Sequence, residues 1–94
     1  MGRFDPNLAD DLMIRAETGD RDAQYRLGLV YATENGPDAL VMAHKWFNLA
    51  AMSGDTRARA ERQEMAEMMS AAEIAEAQRR ARAWMAERQT ARAA

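Results

Sequence analysis

Ala23-Gln24-Tyr25-Arg26-Leu27-Gly28-Leu29-Val30-Tyr31 is followed, after Asn35-Gly36-Pro37, by Ala43-His44-Lys45-Trp46-Phe47 and Ala50-Ala51. These two runs decide the fold. In the first, Ala23, Leu27, Val30 and Tyr31 recur at helical spacing and mark one apolar face. Gly28 lies inside that helical pattern, where glycine costs roughly 1 kcal/mol relative to alanine. Such a cost is offset where the missing side chain lets a partner helix approach closely. Ala23, Ala43, Ala50 and Ala51 are small for the same reason, and Leu27, Tyr31, Trp46 and Phe47 are expected to fill the wedge between the helices. Three turn formers in a row at Asn35-Gly36-Pro37 separate the two runs, so they read as a helical hairpin.

Working outward, the punctuation predicts five helices. The first runs over about 7–18, with Asn7 as N-cap, Asp10 and Asp11 near the positive helix end, and Gly19 as its stop. The second runs over about 21–33 after the N-cap Asp20, and the third over 38–52 before Ser53-Gly54. The fourth runs over 56–69 after Asp55. The fifth opens on the capping-box pattern Ser70-Ala71-Ala72-Glu73 and continues to about Arg88, with a frayed tail at 91–94. Short connections make neighbouring helices antiparallel. The stripe Ile74, Ala77, Ala81, Trp84, Met85 on the fifth helix is expected to face Ala58, Met65 and Met69 on the fourth.

The chain also matches itself at an offset of 35 residues. Leu12 falls on Phe47, Ile14 on Leu49, Ala16 on Ala51, Gly19-Asp20 on Gly54-Asp55 and Ala23 on Ala58. Two helices per period of this length are the signature of a helical repeat array. The match fades beyond, where Leu27 meets Arg62 and Tyr31 meets Ala66. The single domain 1–94 therefore divides into a half-repeat helix (7–18), one full repeat (19–54), and a degenerate repeat with a C-terminal capping helix (55–90).

With Gly36, Asp38, Lys45 and Gly54 added to the two runs, residues 19–54 resemble the Sel-1-like repeat, a tetratricopeptide-like α-hairpin family. The ending Ala72-Glu73-Ile74-Ala75-Glu76-Ala77-Gln78 … Ala83-Trp84 looks like the closing helix of small bacterial proteins of this family. Residues 55–69 depart from the pattern. The resemblance implies an all-α, tetratricopeptide-like α-α hairpin solenoid fragment of about five antiparallel helices. It implies scaffolding and partner recruitment, with no catalytic residue to carry over.

Composition agrees with an all-α chain. The apolar fraction is 48%, supplied mainly by Ala, Leu and Met, with few β-branched residues. There is no cysteine, which excludes disulfides, thiolate metal sites and a thiol nucleophile and fits a cytoplasmic setting. Met1-Gly2-Arg3-Phe4-Asp5-Pro6 lacks the apolar core of a signal peptide, and no run is long enough to span a bilayer, so no membrane partner is expected. Net charge is −2, with eight acids and five bases before residue 55 and seven acids and eight bases from there on. That asymmetry is too weak to point to nucleic acid.

No phosphate loop, nucleophile motif or dinucleotide fingerprint is present, so no enzyme and no cofactor are expected. His44, the single histidine, has no orienting neighbour in sequence and is expected to point outward from the third helix. Asp10, Asp11, Glu61, Glu64 and Glu67 read as surface acids rather than metal ligands, with Glu61 and Glu64 sharing a face with Arg57 as solvated charge pairs. Met65, Met69, Trp46 and Trp84 read as packing residues, and Met68 as exposed. Arg79, Arg80 and Arg82 form a basic group that Glu73, Glu76 and Glu87 dilute.

The positions left over are Tyr25 and Leu29 on the second helix and Arg57, Glu64 and Met68 on the fourth. They lie off the core stripes and form the expected partner-contact face, a shallow groove for a peptide or helix. Self-association as a homodimer is the alternative, since one and a half repeats leave an open apolar end. Nucleic-acid binding through the Arg-bearing last helix is a third reading, against which the net charge counts.

Overall fold

The computed structural model describes residues 6–93. Met1–Asp5 and Ala94 lie outside that range, and with them most of the leader reading and the end of the expected frayed tail. The described chain is all-α: α1 (Pro6–Glu17), α2 (Arg21–Ala32), α3 (Ala39–Met52), α4 (Thr56–Ala66) and α5 (Ala71–Ala93), with no strand among the described residues.

Local signals place most boundaries. The Asp20 carboxylate accepts from the Ala23 N–H, and the Asp55 carboxylate from the Arg57 and Ala58 N–H groups. Each occupies orphan donors at a helix start. Ser70 and Glu73 form the expected reciprocal box: the Ser70 N–H donates to Glu73 Oε1 at 2.8 Å and the Glu73 N–H to Ser70 Oγ at 3.1 Å.

The 35-residue correspondence extends to the backbone of two turns. Gly19 and Gly54 have φ of 100° and 101°. The Gly19 N–H donates to the Ala16 carbonyl and the Asp20 N–H to that of Arg15; Gly54 donates to Ala51 and Asp55 to Ala50. Both are Schellman closures, in which glycine takes the left-handed position that a Cβ would disfavour.

Helix α3 is the centre of the molecule. It packs against α2, α4 and α5, while α1 packs on α2. The α2–α3 pair is antiparallel: Arg21 Nη1 reaches the Ser53 carbonyl at 2.9 Å, while Tyr31 shares a surface depression with Ala39 and Met42. A Cβ built on Gly28 would lie 2.6 Å from the Phe47 ring, so the glycine is required by contact with α3. Leu27, Trp46 and Phe47 are fully buried, whereas Val30 and Tyr31 are only half-buried at the edge.

Two apolar clusters result. One gathers Phe47, Val41 and Ala50 with Ala58 and Met65 of α4, Met69 of the following turn and Ala77 of α5. The other joins Leu12 and Ala16 of α1 to Leu27, Trp46, Leu49 and Ala81.

Three expectations are corrected. Helix α4 ends at Ala66, where Glu67 and Met68 form a turn, instead of running to Met69. The stripe of α5 is turned chiefly to α3, with only Ile74 and Ala77 reaching the cluster that holds Ala58 and Met65 of α4. Arg80 Nη2 bonds Asp38 at 2.9 Å and the Trp84 ring meets Trp46 edge-on at 6.0 Å. Arg88 and Met85 line a pocket with Leu49, Met52 and Ser53, so α5 runs in the same direction as α3. The third correction is His44, expected at the surface and found 3% exposed.

Candidate functional site

The five residues expected to form the contact face separate into two kinds. Tyr25 and Leu29 are half-buried and pack against the cluster containing Phe47 and Met65. The reading that they have no packing role is thereby corrected: α4 lies against α3 closely enough to cover the flank of α2 that faces it. The Tyr25 ring sits 6.1 Å from that of Phe47. Arg57, Glu64 and Met68 are exposed, Met68 to 67%.

The structure brings Tyr25 and Arg57 together. The guanidinium lies 4.2 Å from the ring centroid, a cation–π contact. It also donates from Nη2 to Asp55 at 2.7 Å and to Asp22 at 2.9 Å. Arg57 is thus paired with the cap of its own helix and with α2 instead of with Glu61 and Glu64. Asp55, two residues earlier and nearly buried, is the nearer anion. Hydrogen bonds from Arg57, then from the Ala58 N–H, hold the Asp55 carboxyl below its ordinary pKa of 3.8. Asp22, bonded by Arg26 and by Arg57, is lowered too.

The residues that sequence reasoning missed lie on the other side of α4. Helices α4 and α5 both pack on α3 but scarcely on each other, and a cleft of about 450 Å³ opens between them. His44 and Asn48 of α3, Arg59 and Arg62 of α4, and Gln78 of α5 line it. Arg62 Nη1 donates to Asn48 Oδ1 at 2.6 Å. His44 Nδ1 is buried without a hydrogen-bond partner. Burial, then the charge of Arg62, pushes the His44 pKa below the ordinary 6.5. A signal for this was present in the sequence: α3 is apolar nearly all round, and such a helix is central, so its histidine is buried with it.

Two of the arginines of α5 are engaged in ion pairs. Arg79 and Arg80 both bond Glu76, and Arg80 also reaches Asp38. Glu76 falls to about 2, through Arg79 first and Arg80 second. Among the described residues no group of three or more His, Asp or Glu could hold a metal ion, and no helix is long and apolar enough to cross a membrane. Comparison with known proteins adds no relative: no family model, no curated protein and no solved structure matches the chain.

Proposed function

We propose that the chain is a non-catalytic protein-interaction module, an adaptor of the Sel-1-like, tetratricopeptide-like kind, acting in the cytoplasm. It holds a short peptide or a partner helix against the face shared by α2 and α4. The observation that carries this reading is the combination of a clamped Arg57 on α4, stacked on Tyr25 and tied to Asp22 and Asp55, with a bare Met68 in the turn that follows the helix. Glu64 stands between them, exposed. A fixed charged rim beside apolar surface that the core does not use suits recognition. The hairpin motif of residues 19–54 and the two matched turns favour a repeat scaffold. The lone histidine hydrogen-bonds no hydroxyl or carboxylate that could make it part of a catalytic pair, which favours binding over catalysis.

The test is panning of a random peptide library against the intact chain. An enriched peptide should bind at least about tenfold more weakly to Met68→Asp/Glu64→Arg, with circular dichroism and melting unchanged because both positions are exposed. Failure to enrich any peptide, or equal binding by the variant, overturns the proposal.

Self-association keeps one specific observation in its favour. Leu8 and Ile14 of α1 are 52% and 66% exposed, on the helix that packs chiefly on α2. Sedimentation equilibrium decides it: a dimer that Ile14→Arg dissociates supports this second reading, and a monomer at all concentrations removes it.

A further inference from the structure

We propose that the cleft between α4 and α5, floored by α3, binds a small organic oxyanion, a carboxylate or a phosphate monoester, held by Arg59 and Arg62. This site is separate from the α2/α4 face. Arg59 and Arg62 lie on the side of α4 away from Arg57 and Glu64, as their helical spacing requires.

Charge is the first ground. Among the described residues, Arg15, Arg26, Arg57, Arg79 and Arg80 are each ion-paired with a carboxylate. Arg59 and Arg62 are not, and no acidic residue lines the cleft. Two guanidinium groups therefore face one hollow with their charge uncompensated, in a chain whose net charge is −2. Guanidinium forks match carboxylate and phosphate oxygens in geometry as well as in sign.

Preorganisation is the second. Arg62 is held to the floor of the cleft by its 2.6 Å bond to Asn48, which leaves its other N–H groups free to donate. An arginine already held in place loses less side-chain freedom on binding.

His44 is the third. It is 3% exposed, lines the cleft, and has its buried Nδ1 unpartnered. A buried polar group without a partner is costly and uncommon in a folded chain. Held neutral by burial and by Arg62, the imidazole adds polarity to the floor without adding a third cation.

The walls define the rest of the ligand. Ala66 and Ile74 give an apolar side, and Gln63 and Gln78 supply amides that both donate and accept. The volume, about 450 Å³, is that of a small-molecule site. An oxyanion carried on a small apolar body fits this lining better than a bare ion does.

The experiment is a titration of the isotope-labelled full chain by two-dimensional NMR at constant ionic strength, with phenyl phosphate, benzoate and inorganic phosphate as probes. Expected are saturable shifts of the His44 ring and the Asn48 side-chain amide with benzoate or phenyl phosphate. Which of the two binds more tightly tells carboxylate from phosphate. Arg59→Gln/Arg62→Gln should weaken that binding at least about tenfold. Arg21→Gln and Arg82→Gln, which remove arginines that also lack a carboxylate partner but lie elsewhere, should leave it unchanged. The same spectra report folding. Should the double variant unfold, Arg59→Gln alone, whose side chain is exposed and makes no hydrogen bond or ion pair, carries the comparison. Shifts that do not saturate, or that persist in the cleft variants, overturn the proposal. Inorganic phosphate binding as tightly as the organic probes also overturns it, as the cleft would then take an adventitious ion only.

Discussion

Burial of the His44 imidazole disfavours its charged form, and the neighbouring Arg62 acts in the same direction, so its pKa in the folded chain lies below the ordinary 6.5. The sign of the consequence follows. Below 6.5 the unfolded chain takes up a proton that the folded chain refuses, so stability is complete above that pH and declines as pH falls through it. The carboxylates act in a separate window. Asp20, Asp22 and Asp55 are lowered from 3.8, and their contributions are lost only as pH falls below that value. The melting temperature should therefore be flat above about pH 7 and drop between about 6.5 and 5, before the carboxylates contribute. His44→Gln should remove that first drop. An identical pH profile in the variant would show that the imidazole titrates as freely in the fold as out of it. The sequence shows a lone histidine one residue from the small core position Ala43 but not how many neighbours cover it. The apolar character of α3 all round points to burial, and the packing of α4 and α5 on α3 sets its extent.

At the scale of the element, the contact between α2 and α3 rests on one glycine. Gly28 is buried, and the Phe47 ring, itself fully buried, occupies the space where a Cβ would stand. Gly28→Ala would gain roughly 1 kcal/mol of helix propensity. It would also force a methyl into a ring that has nowhere to move, and overpacking of this kind costs about 1–3 kcal/mol. The second effect should win. Chemical denaturation should show a net loss of stability in Gly28→Ala, and a gain would mean that Phe47 relaxes freely. This element was readable in advance, because Gly28 interrupts an otherwise good helical run and so signals a close approach. The pairing of Arg57 was not readable. Glu61 and Glu64 are helical neighbours of Arg57, but Asp55 two residues earlier and Asp22 on another helix take the guanidinium. A helical-wheel argument sees only the first set.

For the whole molecule, α5 acts as the closing piece. Over its length it bonds Asp38 through Arg80, covers Trp46 with Trp84, donates from Trp84 Nε1 to Glu17 at 2.9 Å and from Arg88 to the Glu17 carbonyl at 3.0 Å. It therefore links the start of α3 to the end of α1. Deleting residues 71–94 should leave Trp46 as the single tryptophan, newly uncovered on one side. Its fluorescence should shift to the red, and the shortened chain should bind a hydrophobic dye or aggregate. An unshifted, monomeric, fully helical product would make α5 an appendage.

The five helices, the caps Asp20, Asp55 and Ser70, the two glycine-closed turns, the glycine contact of the hairpin and the assignment of Trp46 and Phe47 to the core follow from the sequence alone. Each depends on residues a few positions apart, where helical period and backbone stereochemistry leave little choice. What only the tertiary structure decided is which helix meets which. A stripe such as Ile74–Ala77–Ala81–Trp84 shows that one face is buried, but any apolar groove of suitable shape would cover it. Helix α5 meets α3 chiefly, where Trp46 receives Trp84 and Asp38 receives Arg80. The space left between α4 and α5 is the direct consequence. It collects His44, Asn48, Arg59 and Arg62, residues from two helices that no local pattern relates, because a cleft is defined by the surfaces that fail to meet.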